Sequence, residues 1–238
     1  ALSGQIGGQV SSGAGGGGAT FCSTCTGSSG SPSLCWEVAT DTTDIETDGG
    51  CVVSGGDHTG YASSLVDIVA APSGKTGYAI YWPAGGDYYA FDISGDDILL
   101  DSAGTITFDL NVHTFVEGSG VVRFTGAMWT DDCWIELYGV SAGPELRIRY
   151  EGNNTGIVSA ATDGANLSAD TWYSVTAKWR IGSSNPSLYI NVNSTTGQTD
   201  TDLTEFTTPA SYLMLGECMN EASSGYIKNI KIYKEWIE

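Results

Sequence analysis

The sequence predicts an all-β fold, an antiparallel β-sandwich carrying a glycine-rich N-terminal arm. From about Tyr78 onward, short segments alternate apolar and polar residues, the period of a strand buried on one face. Gly- and Pro-bearing turns punctuate them, and no segment of a dozen residues carries a helical period. Glycines crowd the first 60 residues, whereas Trp, Ile and Val concentrate later. The chain therefore divides into an arm over 1–60 and a domain over 61–238 with one core, a length that all-β sandwiches often reach.

The strands can be read in order. In "TITFDLNV", Ile106, Phe108, Leu110 and Val112 point one way and Thr105, Thr107, Asp109 and Asn111 the other. "ELRIRY" places Leu146, Ile148 and Tyr150 inside, and "SLYINVN" does the same with Leu188, Ile190 and Val192. "VVRFTGAMW", "CWIELYGV", "TWYSVTAKW", "YLMLGE" and "GYIKNIKIY" complete a set of roughly ten or more strands. Turns are expected at Gly118–Gly120, Ala142–Pro144 and Gly182–Pro186.

Four of these segments, in order, carry a resemblance. "GYAIYWPAGGDYYAFDI", "GTITFDLNV", "LSADTWYSVTAKWRIGSSNPSLYINVN" and "YLMLGECMNEASSGYIKNIKIYKEWI" resemble successive elements of the laminin-G-like, concanavalin-A-like superfamily. The likeness covers residues from about 77 to 237 and implies a jelly-roll sandwich.

Residues 1–30 hold too few bulky side chains to offset the entropy of ordering so much glycine. The arm is expected to be held from outside, docked on a neighbouring subunit or laid along the domain as part of a larger assembly, with a homo-oligomer as the expected state. Of six cysteines, Cys22, Cys25, Cys35 and Cys51 precede the main domain, and Cys133 and Cys218 fall within it. Disulfides would staple an arm that lacks a core; four thiolates could instead hold zinc, although the second CxxC of a zinc ribbon is missing, and free thiols are the third reading. A redox CxxC lacks its βαβ context. Cys133 and Cys218 are candidates to pair across the core.

Nine Lys and Arg against 28 Asp and Glu give a net charge of -19, which argues against nucleic acid as a partner. No apolar run of about 18 residues is present to span a membrane. No basic-then-apolar leader is visible; Ala1 is expected to follow either a cleaved signal or a removed initiator Met.

Three chemistries have some footing in the residues. The retaining glucanases of the resembled superfamily use a strand with Glu, Asp and Glu at alternating positions, whereas "WIELY" supplies only Glu136. His58 and His113 are the only histidines, with no serine elbow or HExxH, so no enzyme is expected. Calcium is a candidate cofactor, though none is required. Asp44, Glu46 and Asp48 resemble the start of an oxygen-rich loop, but Gly55 stands where an EF-hand needs its bidentate Glu. The resemblance adds Asp87 to this set, while Lys228 occupies the acidic position of the family's closing element. The third chemistry is glycan binding. Trp134, Glu136 and Tyr138 alternate with apolar residues, as do Arg147 and Arg149, so the two strands are expected to show aromatic and charged groups to solvent; the alternative is a second apolar layer with arginines paired to surface acids.

The resulting expectation is a non-enzymatic structural or adhesive protein: a lectin-like head docked by its arm on a virion surface, as a phage capsid decoration or tail appendage. A secreted or cell-surface microbial carbohydrate-binding module is the second reading, and a glycan-cleaving enzyme the third.

Overall fold

The computed structural model describes residues 34–36, 60–62, 67–72, 74–83, 88–92, 103–125, 133–139, 143–152, 156–182, 186–204, 212–216, 223–233 and 235–238. Its strands are β1 (Leu34–Trp36), β2 (Gly60–Ala62), β3 (Asp67–Ala70), β4 (Tyr78–Trp82), β5 (Tyr88–Asp92), β6 (Ala103–Thr114), β7 (Gly120–Thr125) and β8 (Cys133–Tyr138). They continue as β9 (Glu145–Gly152), β10 (Gly156–Ala161), β11 (Trp172–Arg180), β12 (Leu188–Val192), β13 (Thr195–Thr199), β14 (Tyr212–Gly216) and β15 (Ser224–Tyr233). Among the described residues there is no helix.

The strands form the expected antiparallel jelly-roll sandwich. One sheet runs β13-β12-β11-β6-β15-β4-β3, the other β10-β9-β8-β7-β14-β5-β2. β1 also pairs with β15, opposing Ile230–Ile232, while β4 opposes Gly225–Ile227. The larger sheet thus takes in Leu34–Trp36, which composition assigns to the arm. Residues 1–33 lie outside the described residues, and so does the expected docking through 1–30.

The core lies between the sheets, where period-two patterning put it. Ile106, Phe108, Leu110 and Val112 face Ile135, Leu137, Leu146, Ile148 and Tyr150, all buried. Phe124 of β7 meets Trp179 of β11 across the two layers, with ring centroids 5.3 Å apart. Two indoles of the larger sheet sit on cross-strand glycines: Trp179 opposes Gly104, and Trp82 opposes Gly225. A Cβ on Gly104 would stand 2.0 Å from the Trp179 ring, and one on Gly225 would stand 2.8 Å from that of Trp82. No side chain other than hydrogen fits either position.

The C-terminal residues cross the outer face of this sheet. Thr105 Oγ1 donates to the Glu235 carbonyl at 2.8 Å and accepts from Ile237 N at 3.1 Å, while Lys178 Nζ donates to the Ile237 carbonyl. The Trp236 ring lies under the Arg180 guanidinium at 4.4 Å and beside Tyr189 at 6.2 Å. Burial lowers the Lys178 pKa, with Glu238 opposing that shift and Arg180 adding to it.

Because Trp179 is locked between Gly104 and Phe124, Gly104→Ala is expected to cost about 1–3 kcal/mol through overpacking. Gly120→Ala, whose added Cβ meets nothing within 4 Å, serves as the control. Urea unfolding curves of the two variants make the comparison.

Candidate functional site

β8 and β9 run antiparallel in the smaller sheet, with Trp134 opposite Arg149 and Glu136 opposite Arg147. Cys133, Ile135 and Leu137 take the core face, so Trp134, Glu136 and Tyr138 take the outer face, as the alternation predicts. Their exposure does not follow the expectation. Trp134 is 3% and Glu136 2% exposed, so neither is presented to solvent.

The cause is the next strand. Arg149 lies over the Trp134 ring at 4.6 Å, and Arg123 of β7, its neighbour on the other side, stands 5.9 Å from the same ring. Arg147 stacks on Tyr138 at 4.0 Å. The indole is therefore occupied by guanidinium groups and is unavailable for stacking on a sugar. Farther across the sheet, Arg123 opposes Met214, and both are buried. The alternative expectation, arginines paired with acids, is nearer to what is found, except that the acid is a buried one.

Glu136 is the hub of this face. Its carboxylate accepts from Trp134 Nε1 at 2.7 Å and from Arg147 Nε at 2.7 Å, with Arg147 Nη2 also donating. Arg149 Nη1 approaches both carboxylate oxygens at 3.4 and 3.5 Å. Burying a carboxylate is costly unless it is paired and hydrogen-bonded, and here it is both. Two guanidinium groups nevertheless share one carboxylate, which leaves a cationic surplus. Their side chains are 23% and 25% exposed, and Arg147 Nη1 and Arg149 Nε and Nη2 have no partner among the described residues. Of the acids in phase with them on β9, Glu145 is turned to the Gly164 amide at 2.7 Å and Glu151 is exposed to solvent. What the face can offer is charged N–H donors at a rim.

The other predicted sites are less informative. Cys133 is buried in the core. Cys35 lies on β1 opposite Lys231, while Cys22, Cys25, Cys51 and Cys218 lie outside the described residues, as do Asp44, Glu46, Asp48 and Asp87. Among the described residues no three His, Cys, Asp or Glu side chains cluster as a metal site. Lys228 is buried and donates to the Thr76 carbonyl.

Sequence reasoning missed a second set of residues on the opposite outer face. Tyr81, Tyr226, Asn111 and Trp172 are successive cross-strand neighbours on β4, β15, β6 and β11. The Tyr81 and Tyr226 rings are 4.9 Å apart, and Tyr226 and Trp172 are 6.4 Å apart. The available signal was the phase of "TWYSVTAKW": Val175, Ala177 and Trp179 share one face, which puts Trp172 on the other.

No family model matches the sequence, and no curated protein matches it. Solved structures share its fold. The botulinum neurotoxin serotype D binding domain has a TM-score of 0.63 at 12% identity, over 86% of this chain and 48% of that one. The receptor-binding domain of the botulinum neurotoxin C/D mosaic serotype gives 0.62 at 11% identity, over 87% and 48%. A botulinum neurotoxin type C structure, from work in which cell entry depends on interaction with two ganglioside molecules, gives 0.59 at 11%, over 87% and 49%. This chain spans about half the length of each. At such identity the likeness is one of fold.

Removing the Glu136 carboxylate would strand guanidinium groups over a buried indole. Glu136→Ala is expected to cost about 3 kcal/mol, the low end for a broken buried pair because the arginines keep some solvent contact. Arg149→Ala, which leaves Glu136 its shorter bonds, should cost about 1 kcal/mol or less. Equilibrium unfolding in urea checks both.

Proposed function

We propose that the chain is a non-catalytic binding domain of laminin-G-like type that recognises acidic glycans through the Arg147–Arg149 rim. The observation carrying this reading is the sharing of one buried carboxylate by two guanidinium groups, which leaves fixed, charged donors on a protein of net charge -19. Guanidinium groups suit carboxylate and sulfate groups in particular, since their donors form a planar fork. Glu136 engages the Arg147 fork and the Nη1 of Arg149 before a ligand arrives, leaving Arg147 Nη1 and the Nε–Nη2 fork of Arg149 in place for it, so little ordering entropy is lost on binding. The like fold of toxin receptor-binding domains supports a binding role. Catalysis has less support, since the β8 outer face supplies a single carboxylate that is already fully engaged.

Recognition of this kind suits a head displayed on a particle. We read the chain as a virion surface component attached through residues 1–30; a secreted or cell-surface carbohydrate-binding module is the alternative. Calcium binding by Asp44, Glu46, Asp48 and Asp87 is a separate proposal, to be tested by calorimetric titration.

On an array of sialylated, uronate-bearing, sulfated and neutral glycans, retention should favour the acidic ones and weaken as salt rises. Arg149→Ala should lower that retention by roughly tenfold, the effect of one lost charged hydrogen bond. Equal retention of acidic and neutral glycans, unaffected by Arg149→Ala, would refute the reading. Attachment is tested separately: co-sedimentation with particles should disappear when residues 1–30 are deleted.

A further inference from the structure

The outer face of the larger sheet carries a different arrangement. Asn111 lies at its centre, 0% exposed, between Tyr226 on one side and Trp172 on the other. Neither its amide nitrogen nor its carbonyl oxygen has a hydrogen-bond partner among the described residues. A buried carboxamide with both groups unsatisfied costs about 1–3 kcal/mol for each, so its position calls for an explanation. Leucine or valine would fill the same strand position without that cost.

Its surroundings are those of a ligand shelf. Tyr81, Tyr226 and Trp172 are half-buried and adjoin one another in a row. Trp172 is fixed, its Nε1 donating to the Pro72 carbonyl at 3.2 Å. Tyr226 is not tied down in this way: its hydroxyl has no hydrogen-bond partner among the described residues. Burial raises the Tyr226 pKa, with Tyr81 and Asp170 adding to the shift, so the phenol stays protonated as a donor and lies within electrostatic reach of the Asp170 carboxylate. Asp170 is exposed and holds His113 Nδ1 at 2.7 Å through one oxygen.

We infer that the Tyr81–Tyr226–Asn111–Trp172 row is a second binding site, for a neutral saccharide. The aromatic row supplies flat apolar surface for the C–H face of a sugar ring. When the untethered Tyr226 ring moves aside, Asn111 offers one donor and one acceptor, the pair that adjacent sugar hydroxyls match. Asp170 accepts from a further hydroxyl. It also disfavours acids, and the two lysines near this row are engaged: the Lys75 ammonium by Asp109 at 3.1 Å, and that of Lys228 by the Thr76 carbonyl. Asp109 is further satisfied by Ser174 at 3.0 Å and Asn229 at 2.7 Å, so that neighbouring cluster is closed and Asn111 alone is left open. The two faces of the sandwich thus differ in chemistry, and this site stands independently of the arginine rim.

The test is calorimetric titration of the full chain with cellohexaose, maltohexaose, xylohexaose and mannohexaose. At least one is expected to bind saturably at millimolar concentration, with roughly tenfold weaker binding in Trp172→Ala and in Asn111→Ala. Arg149→Ala should leave that binding unchanged, which separates this site from the acidic-glycan face. Asn111→Ala is expected to keep or raise the urea midpoint, because it removes an unsatisfied amide, so its loss of binding would not be a loss of fold. The inference is overturned if none of the four sugars binds, or if Asn111→Ala binds as the unaltered chain does.

Discussion

The seating of Trp179 on Gly104 is the constraint from which the rest of the larger sheet follows. A ring that size enters the core only where its cross-strand neighbour has no side chain, so the pairing fixes the register of β6 against β11. The same ladder, seven residues along, brings Trp172 opposite Asn111. Seven is odd, so if Trp179 faces inward Trp172 must face outward. A slip of β11 by one residue would turn Trp172 into the core and Trp179 into water, leaving Asn111 without its aromatic neighbour. Core packing and the composition of the outer shelf are therefore one specification.

The smaller sheet solves a different problem. Its outer face carries charged and aromatic groups that would cost stability singly, and it joins them around Glu136. The carboxylate satisfies the indole N–H, one guanidinium closely and a second more loosely, while the Tyr138 and Trp134 rings lie against the two guanidinium groups. The arrangement limits the conformations open to both arginines. It also places cations outward on a chain whose acids outnumber them 28 to 9.

Much of the fold was legible in the sequence because period-two alternation in β6, β9 and β12 needs no knowledge of partners. Burial on the outer faces was not, because it depends on which strand lies alongside. Trp134 and Glu136 have the right parity for exposure, and only the pairing of β8 with β9 reveals the arginines lying across them. Tyr81, Asn111, Trp172 and Tyr226 are far apart in the chain and meet through non-consecutive pairings of β4, β15, β6 and β11. The Leu34–Trp36 strand was hidden for another reason: three residues are too few for a period to show against a glycine-rich background.

The position of β15 has a kinetic consequence. This strand, the last of the described ones, lies inside the larger sheet, with β6 on one side and β4 and β1 on the other. During synthesis β6, β11 and β12 can pair as soon as they emerge, yet β4, β3 and β1 have no attachment to that nucleus until Tyr233 has left the ribosome. Closing the sheet then joins segments almost two hundred residues apart, from Leu34 to Ile232. Such non-local closure is slow and leaves strand edges open while it proceeds. The larger sheet should therefore stay open until β15 is available, and the nascent chain is most exposed to aggregation in that interval.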